Sequence, residues 1–536
     1  MPHHTQNILF IMCDQLRWDY LSCYGHPHLE TPNIDWLAQN GVRFDRAYVQ
    51  SPVCGPSRAC IYTGRYQSTI GVRHNGYPIR IDELTLGDYL RAEGMRTAVV
   101  GKTDLHIHPE AAQRLGIDLH AAENTLLHGG GFEPFALDSG NHPTKLLRRR
   151  GEKVAYNDYL RGLGYTSDNP WHTHANSTVD ENGNVLDGWF NRHAKYPANI
   201  REEHSETAYS TNRAIDFMQQ ASSDPQAAPW CLHLSYIKPH WPYVAPAPYH
   251  NLYTPAQMLP ANRTEEERAH PHHPVYAGFL QYSQGEGFGR HEMRATVIPT
   301  YMGLVKQIDD HIGRLLDWMR QAGLLEKTMI IFTSDHGDYL GDHWLVDKYW
   351  FHEEACRVPL IMYDPSPSAN HSRGTVCRAL VESIDIAPTC IEFAGGTPDP
   401  QRLEGRSLMP FVRGDAPTSW RDFVICEEDY SPLSVRHHLG LRIEDARATM
   451  LRTKRWKYIL HERFRPELYD MQNDPQERVD LGDDPAHAAT RAELHEMLFG
   501  WFRQRALRLT RPDSFTRMRS RPGWVEENMG IYIGHW

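Results

Sequence analysis

Short apolar runs separated by longer amphipathic stretches set the hydrophobic pattern of this chain. Five runs have the length and composition of buried parallel strands: Asn7–Cys13, Arg96–Gly101, Trp230–Tyr236, Met329–Thr333 and Val358–Tyr363. A three- and four-residue spacing predicts one long helix ending near Gly323, with apolar positions at Tyr301, Leu304, Ile308, Ile312, Leu315 and Met319. This alternation predicts an α/β fold with a large, mixed but mostly parallel sheet flanked by helices.

Two regions depart from this alternation. The segment from Leu105 to Ile200 is rich in Gly, Asn, His and Trp and has no clear period, so we predict long surface loops that partly cover a site. After Gly405, ATMLRTKRWKYIL predicts a hairpin and PELYDMQNDPQE a turn. We therefore expect a large α/β domain over residues 1–404 and a smaller α+β domain with an antiparallel sheet over residues 405–536.

Composition narrows the class of protein and its partners. The 536 residues are 40% hydrophobic and 23% charged, as in ordinary globular chains. The net charge of −11 argues against bulk attraction to nucleic acid or an anionic membrane. The nine cysteines show no CxxC pair and predict reduced thiols rather than a disulfide framework. The first apolar run leaves no room for a signal peptide and is too short to span a bilayer, so we expect a cytoplasmic protein with no membrane partner.

Charged or metal-competent side chains follow four of the predicted strands. In chain order they are Asp14 and Gln15, Lys102, Lys238 and His240, and Asp335 and His336. Ligands of open α/β sheets bind beyond the carboxyl ends of the strands. Each residue taken alone also suits a turn or a helix cap. Their coincidence at one sheet edge favours a functional site.

The segment Cys54–Arg58, followed by Thr63-Gly64-Arg65, resembles the signature of the sulfatase family. In that family, a maturation enzyme that reads the proline and arginine oxidises the cysteine to formylglycine. Further similar blocks occur from Asn7 to about Leu481: Thr31–Asp35, Lys102 after a glycine, Lys238–Pro242, Ser334–Lys348, Arg357–Leu360, Glu467–Asp470 and Asn473–Pro475. The resemblance implies an alkaline-phosphatase-like fold, a formylglycine derived from Cys54, and a formylglycine-generating enzyme as a partner.

The same resemblance implies one divalent cation per chain. Its ligands would be Asp14, Gln15, the modified Cys54, Asp335 and His336. The usual family ion is Ca²⁺, whereas a histidine ligand and a glutamine in place of a carboxylate shift the balance towards Mn²⁺. The sequence leaves the choice between these two ions open.

Catalytic roles also follow from the resemblance. A hydrated formylglycine would attack the ester with one hydroxyl, and loss of the other proton would let the sulfo-enzyme hemiacetal expel the inorganic anion. Arg58 would orient this group, and Lys102 and Lys348 would bind the non-bridging oxygens. His240 is the expected general acid for the departing alkoxide.

Three further residues are expected to contact the substrate. They are Lys238 beside His240, Asn75, which suits a turn equally well, and His106. Many sulfatases carry a histidine two or three residues after the lysine of the Gly-Lys block. In this sequence, Asp104 and His106 are the two candidates for that position.

The residues give a mixed indication of the substrate. Gln15 resembles the phosphonate monoester hydrolase branch, whereas that branch has tyrosine at the position of Lys102. We expect a sulfate monoesterase of the arylsulfatase kind that acts on small anionic esters, with phosphonate monoester and phosphodiester hydrolysis as companion activities. The alternatives are a primary phosphonate or diester hydrolase, a two-zinc hydrolase using Ser or Thr, and a non-catalytic relative.

Two remaining features are a histidine-rich segment and an aromatic C-terminal tail. His270, His272 and His273 lie in a proline-broken HPHHP segment, which predicts solvated side chains rather than a metal site. The aromatic tail GWVEENMGIYIGHW predicts docking on a neighbouring subunit of a homo-oligomer, with a clasp inside one subunit as the alternative.

Overall fold

The computed structural model describes residues 6–119, 121, 124–145, 154–223, 227–281, 285–505 and 517. Within these ranges the strands are β1 Asn7–Asp14, β2 Val42–Tyr48, β3 Arg96–Gly101, β4 Glu133–Leu137, β5 Ser177–Val179, β6 Val185–Asp187, β7 Trp230–Pro239, β8 Thr328–Ser334, β9 Arg357–Tyr363, β10 Thr375–Cys377, β11 Val381–Glu382, β12 Phe423–Asp429, β13 Arg447–Thr453, β14 Trp456–His461 and β15 Glu467–Asp470. The large sheet runs in the order β10-β2-β9-β8-β1-β7-β3-β4, with β11 paired to β2. This mostly parallel sheet confirms the predicted α/β fold class.

Helices flank the sheet. The α-helices of the described residues are α1 Pro32–Asn40, α2 Cys54–Thr63, α3 Gln67–Ile70, α4 Leu86–Ala92, α5 Pro109–Leu115, α6 Thr125–His128, α7 Ala155–Gly162, α8 Glu206–Ala221, α9 Glu265–Ala269, α10 Pro274–Leu280, α11 Gly285–Phe288, α12 His291–Gln321, α13 Glu353–Cys356, α14 Ile386–Phe393, α15 Met409–Val412, α16 Ser434–His438 and α17 Ala488–Gln504. The predicted long helix is α12. No helix in the described ranges combines the length and the apolar content needed to cross a bilayer.

The central strands are buried on both faces. The side chains of β1 alternate between two hydrophobic cores: one holds Ile8, Phe10 and Met12, and the other holds Leu9, Ile11 and Cys13. Helices α2, α4 and α14 pack in the first core, and α1, α8 and α12 pack in the second. The sequences of these strands are continuously apolar because the side chains on both faces of each strand are buried.

The five predicted strands are present, but the direction of one was predicted wrongly. Strand β9, which contains Val358–Tyr363, pairs antiparallel with both β8 and β2. A strand that is apolar on both faces carries no periodic signal for its direction. Strand β2 was not predicted because polar residues interrupt its sequence VRFDRAY, which contains no continuous apolar run.

The predicted surface loops between Leu105 and Ile200 are partly structured, which corrects that expectation. Strand β4 lies in this region and joins the edge of the large sheet beside β3. The hairpin β5–β6 also lies here. A third hydrophobic core contains the buried Tyr156, Leu160 and Trp171. Its aromatic residues follow no helical or strand period, so the pattern of the sequence did not reveal it.

A four-stranded antiparallel sheet, β12-β13-β14-β15, occupies the C-terminal part. The predicted hairpin is β13–β14, in which Leu451 faces Tyr458. The apolar residues of this sheet share the first hydrophobic core with the large sheet. The aromatic tail, residues 523–536, lies outside the described residues.

The histidines of the HPHHP segment were predicted to be solvated, and two of them are not. His273 is 1% exposed, and His272 bonds through Nε2 to the carboxylate of Glu467 at 3.3 Å. Glu467 is fully buried and also binds His461 Nε2 at 2.9 Å and the Tyr469 hydroxyl at 2.6 Å. Burial opposes ionisation, but the bonds from His272 and His461 hold the pKa of Glu467 well below its usual range. This carboxylate therefore joins the segment before α10 to the C-terminal sheet.

Replacing Glu467 by glutamine is expected to lower the free energy of unfolding by about 3 kcal/mol, because it removes a buried charge that several donors share. Chemical denaturation monitored by tryptophan fluorescence measures the loss. Glu462→Gln is the matched control, since Glu462 is 45% exposed in its ion pair with Arg447 and should change stability by less than about 0.5 kcal/mol. Equal unfolding midpoints for the two variants would contradict the assigned role of Glu467.

Candidate active site

Four neighbouring parallel strands end at one edge of the large sheet. Their order is β8, β1, β7 and β3. Beyond these ends lie Asp335 and His336, then Asp14 and Gln15, then His240, and finally Lys102. All of them are buried. The topology thus brings together the side chains that follow these strands in the sequence.

Residue 54 lies at the centre of this group. It begins α2, and every residue of that helix is buried. Cys54 Sγ lies 2.9 Å from Lys348 Nζ, 3.1 Å from His336 Nε2 and 3.8 Å from Asp14 Oδ1. The amino end of a helix favours an anion, so the position suits a negatively charged substrate group. Burial, followed by the charge of Asp14, raises the pKa of the Cys54 thiol to about 12.

Two carboxylates are held by cations. Lys102 Nζ lies 2.6 Å from Asp14 Oδ2, and Arg58 Nε lies 2.7 Å from Asp335 Oδ2. Arg58 also reaches Asp14 at 3.4 Å and donates to Ser235 Oγ at 2.8 Å. Burial alone would raise the pKa of Asp14, but the positive charges of Lys102, Arg58 and Lys348 hold it well below its usual range. Asp14 therefore stays ionised although it is fully buried.

The backbone conformation at position 101 requires the glycine of the Gly-Lys block. Gly101 has φ of +96°, and a Cβ atom there would lie 1.9 Å from the carbonyl oxygen of Ser235 on β7. Only glycine fits this close approach and this left-handed conformation. The turn brings Lys102 directly off the end of β3 towards Asp14.

The residues present fit a divalent cation. Asp14, Cys54, Asp335 and His336 each offer one ligand atom, and these atoms lie within 4.8 Å of one another. His336 Nδ1 donates to the carbonyl oxygen of Gly337 at 2.8 Å, which leaves the lone pair of Nε2 directed at the cluster. Carboxylate oxygens with one imidazole nitrogen are a donor set that hard and borderline cations accept.

Gln15, the fifth predicted ligand, borders the same cluster. Its Oε1 lies 3.3 Å from Lys348 Nζ, and its Nε2 donates to Asp338 Oδ2 at 2.6 Å. Its backbone N–H donates to Asp335 Oδ1 at 3.0 Å. The amide therefore presents its oxygen to the site and its nitrogen to a carboxylate behind the site.

Lys348 contacts both Cys54 and His240. Lys348 Nζ lies 3.3 Å from His240 Nε2. His240 Nδ1 donates to the carbonyl oxygen of Trp241 at 2.6 Å, so Nε2 is the nitrogen that faces the site. Burial holds the pKa of His240 well below its usual value; Asp14 opposes this shift, and the positive charges of Lys348 and Lys102 add to it. The imidazole is neutral at pH 7 in this state.

The three expected substrate contacts lie in different surroundings. Asn75 Oδ1 accepts the Gly55 N–H at 2.8 Å and so steadies the start of α2. Lys238 donates to Asn176 Oδ1 at 3.1 Å and to the Pro242 carbonyl at 2.9 Å. His106 is half exposed, and its Nε2 lies 3.7 Å from Asp104 Oδ1. Asp104 also lies 3.8 Å from Lys102 Nζ, between His106 and the cluster.

Sequence reasoning missed several groups around the site. Asp338 accepts bonds from Gln15 and from the Tyr243 hydroxyl, each at 2.6 Å. Burial and the negative charge of Asp347 raise the pKa of Asp338 to about 6. The repeated acidic residues of SDHGD were a signal for Asp338, whereas Tyr243 and Ser235 carried none, because only the fold brings them close.

The segment that carries Lys348 has an unusual backbone. Leu340, His343, Trp344, Asp347 and Tyr349 all have positive φ values, between 49° and 88°. Residues other than glycine adopt this left-handed region at a cost of about 1–3 kcal/mol each, and they cluster at functional sites. The packing around this segment must therefore hold it in place.

Comparison with known proteins identifies the family of this chain. The family model described as Sulfatase matches residues 6–396, so the chain belongs to the sulfatase family, whose members are sulfuric ester hydrolases of the alkaline phosphatase superfamily. A second family model, N-sulphoglucosamine sulphohydrolase, C-terminal, matches residues 341–504.

Individual relatives cover almost the whole chain. The chain is 30% identical over 548 residues to the multifunctional alkaline phosphatase superfamily protein PehA of Trinickia caryophylli, covering 96% of this chain and 98% of that protein. It is 29% identical to an arylsulfatase of Clostridium perfringens, covering 89% and 90% of the two chains. The solved phosphonate monoester hydrolase of Silicibacter pomeroyi superposes with a TM-score of 0.80 at 31% identity, covering 93% of this chain and 95% of that chain.

Proposed function

We propose that this chain hydrolyses small sulfate monoesters at residue 54, after a maturation enzyme has converted Cys54 to formylglycine. The observation that carries the proposal is the position of Cys54, at the start of α2 and within 3.1 Å of both Lys348 Nζ and His336 Nε2. An unmodified thiol with a pKa of about 12 is a poor nucleophile at pH 7. A hydrated formylglycine supplies one oxygen for covalent attack on the ester and a second whose deprotonation releases the product.

The cations around residue 54 support binding of an anionic ester. Lys348 Nζ contacts Cys54 Sγ and Lys102 Nζ contacts Asp14, so both lysines would hold the non-bridging oxygens, whose charge changes in the transition state. Arg58 is fully buried and bound to Asp335, so it would fix the carboxylates rather than move with the substrate. His240 Nε2 faces the site beside Lys348, and the negative charge of a bound ester would favour its protonated form.

Asp14, Gln15, Asp335, His336 and the modified residue 54 would hold one divalent cation, either Ca²⁺ or Mn²⁺. The ion would lower the pKa of the attacking hydroxyl and polarise the ester oxygens. The four-residue ligand group around Cys54 supports a single ion at this edge of the sheet, in contrast to the two-zinc alternative. Asp14 and Asp335 would supply its carboxylate ligands, and Arg58 and Lys102 form ion pairs that hold these carboxylates in place.

A second candidate activity is the hydrolysis of phosphonate monoesters or phosphodiesters at the same site. It is favoured by Gln15 and by the likeness to the phosphonate monoester hydrolase of Silicibacter pomeroyi. A panel of an aryl sulfate, a phenyl phosphonate ester and an aryl phosphodiester ranks the activities by kcat/KM. The largest value for the aryl sulfate supports the first proposal, and a larger value for the phosphonate ester supports the second.

Mass spectrometry of the peptide that contains residue 54 tests the modification. The protein should be produced together with a formylglycine-generating enzyme, and the peptide should then carry an aldehyde in place of the thiol. The peptide that contains Cys60, six positions along the same buried helix, is the internal control and should keep its thiol. A fully active protein with an unmodified Cys54 would overturn the proposal.

His240→Ala is expected to harm esters with poor leaving groups far more than activated ones. An alkyl sulfate needs a proton for the departing oxygen, so kcat/KM should fall about 100- to 10,000-fold, whereas 4-nitrophenyl sulfate should lose less than about tenfold. Steady-state kinetics on the two esters measure the difference. Equal losses on both would remove the general-acid role and leave His240 as a residue that only positions Lys348.

A further inference from the structure

Each of the two lysines that would hold the substrate oxygens lies beside a carboxylate that has no place in the proposed chemistry. Asp347 Oδ1 lies 3.6 Å from Lys348 Nζ, and Asp104 Oδ2 lies 3.8 Å from Lys102 Nζ. Neither aspartate belongs to the four-residue ligand group around Cys54. We refer to Asp104 and Asp347 as the outer carboxylates.

Both outer carboxylates are largely shielded from water. Asp347 is 5% exposed, and the side chain of Asp104 is 18% exposed. Burial alone would raise the pKa of Asp104, but the charge of Lys102 and a contact with His106 hold it below its usual range. Burial alone would lower the pKa of Lys348, but the charge of Asp347 is the largest of the opposing influences and the pKa stays well above its usual value. Salt screens such buried pairs much less than it screens surface pairs.

The distances in these two ion pairs are longer than hydrogen bonds. An N–H···O bond spans about 2.7–3.2 Å between its heavy atoms. Neither oxygen of Asp347 has a hydrogen-bond partner among the described residues. Lys348 Nζ instead lies 2.9 Å from Cys54 Sγ, and Lys102 Nζ lies 2.6 Å from Asp14 Oδ2. Each outer carboxylate therefore offsets the charge of a lysine without occupying its N–H donors.

The charge of the site matters because a sulfate monoester and a phosphate monoester have almost the same shape. Each presents three non-bridging oxygens around a tetrahedral centre. The sulfate ester carries one negative charge, whereas the phosphate ester carries about two at pH 7. Hydrogen-bond donors at fixed positions accept both groups, so the charge of the surroundings must separate them.

The outer carboxylates lie close enough to repel the second charge of a phosphate ester. Lys348 Nζ lies 2.9 Å from Cys54 Sγ and 3.6 Å from Asp347 Oδ1, so these two atoms are at most about 6.5 Å apart. At about 7 Å and an effective dielectric constant of about 20, the repulsion between two unit charges changes a binding constant about 50-fold. A dianion meets this repulsion twice, and a monoanion meets it once.

We propose that Asp104 and Asp347 are specificity-determining residues that restrict the site to esters with a single negative charge. They offset the charges of Lys102 and Lys348 and leave the donors of both lysines to the substrate oxygens. The inference rests on the proposed function, because it concerns the ester bound at residue 54. Sulfate monoesters, phosphonate monoesters and phosphodiesters carry one charge and are accepted, whereas phosphate monoesters carry a second charge and are rejected.

Replacement by asparagine separates this role from a structural one. The amide keeps the shape of the side chain and removes its charge, and Asp347 accepts no hydrogen bond from the described residues that the change could break. If the outer carboxylates only positioned the lysines, the variants would bind every anion more weakly and to the same extent. If they select by charge, the variants should gain affinity, and a dianion should gain far more than a monoanion.

Binding of two unreactive anions tests the inference without turnover. Methanesulfonate and methylphosphonate have the same shape, and above the second pKa of methylphosphonate they carry one and two negative charges. Calorimetric titration of the full chain gives both affinities. Asp347→Asn and Asp104→Asn should each raise the affinity for methylphosphonate at least about tenfold more than the affinity for methanesulfonate. Equal changes for the two anions would overturn the inference.

Asp317→Asn is the matched control for both variants. It removes the same charge from a side chain that is 68% exposed. Helix α12 ends at Gln321, shortly before β8 begins at Thr328, so Asp317 lies near the end of the sheet opposite to the site. Solvent and salt screen this charge, and both affinities should stay within about twofold of the wild-type values.

Three 4-nitrophenyl esters link the selection by charge to catalysis. The ratio of kcat/KM for 4-nitrophenyl phosphate to that for 4-nitrophenyl sulfate should rise at least about tenfold in each single variant and about 100-fold in the double variant. Methyl 4-nitrophenyl phosphate, a diester with one charge, separates the effect of charge from that of phosphorus and should follow the sulfate ester. Equal changes in kcat/KM for the phosphate monoester and the diester would contradict selection by charge.

The binding and kinetic measurements fail in different ways. A gain in binding that depends on charge, with no hydrolysis of the sulfate ester, would refute the proposed function and leave the role of the outer carboxylates in place. Hydrolysis of the sulfate ester with an unchanged phosphate-to-sulfate ratio in the variants would refute the inference and leave the function. An equal loss of affinity for both anions would mean that the outer carboxylates only position the lysines, and this result would also overturn the inference.

Discussion

Cys54→Ala should lose at least about 10,000-fold in kcat on 4-nitrophenyl sulfate, because the variant has no side-chain atom that can become the nucleophile. The methyl group leaves Lys348, His336 and Asp14 around an apolar position. These groups can still bind an anion there, so the affinity for inorganic sulfate as a competitive inhibitor should change far less than kcat. Kinetics and inhibition measured on the same preparation separate chemistry from binding.

Cys60→Ala is the matched control for this variant. Cys60 lies on the same helix, is equally buried and belongs to the first hydrophobic core rather than to the site. Its loss should lower stability by about 1 kcal/mol through a small cavity and leave kcat near the wild-type value. If Cys54→Ala hydrolysed the aryl sulfate as fast as the wild type, residue 54 would not be the site of covalent chemistry.

Asp14→Asn is expected to abolish metal binding and to lower kcat/KM at least about 1,000-fold. The substitution removes one of two buried carboxylates from the ligand cluster. It also leaves Lys102, whose Nζ lies 2.6 Å from Asp14, as a buried cation without its partner, so the free energy of unfolding should fall by about 3 kcal/mol. Elemental analysis should change from one divalent cation per chain to almost none.

Asp19→Asn gives the comparison for Asp14→Asn. Asp19 lies five residues further along, pairs with Arg17 at 2.6 Å and has no ligand atom in the cluster. The two variants remove the same charge, yet this one should keep its metal and most of its activity. Retention of a full equivalent of metal by Asp14→Asn would contradict the assignment of Asp14 as a ligand.

The sequence predicted which side chains gather at the sheet edge wherever a strand ended in a charged or metal-competent residue. Asp14, Lys102, His240 and Asp335 could be grouped before the fold was known, because parallel strands bring their carboxyl ends to one edge. The same reasoning gave the wrong direction for β9, since the sequence of a fully apolar strand does not indicate its direction in the sheet.

Other features depended on contacts between residues far apart in the chain. The proline-rich sequence predicted a solvated His273, but the carboxylate of Glu467 makes its burial favourable. The sequence did not single out Asp347, and only the fold shows that this buried carboxylate is ion-paired with Lys348 and accepts no hydrogen bond from the described residues. Local patterns describe elements and their ends, whereas the satisfaction of buried polar groups depends on the whole fold.

The left-handed backbone between Leu340 and Tyr349 limits how the enzyme can be made more robust. Replacing any of these residues by glycine would relieve local strain, but Leu340, His343 and Trp344 are buried, and the loss of their side chains would cost more than the relief returns. The same change would loosen the segment that directs Lys348 at residue 54. Stabilising substitutions are therefore better sought on the solvent faces of the outer helices than in this segment.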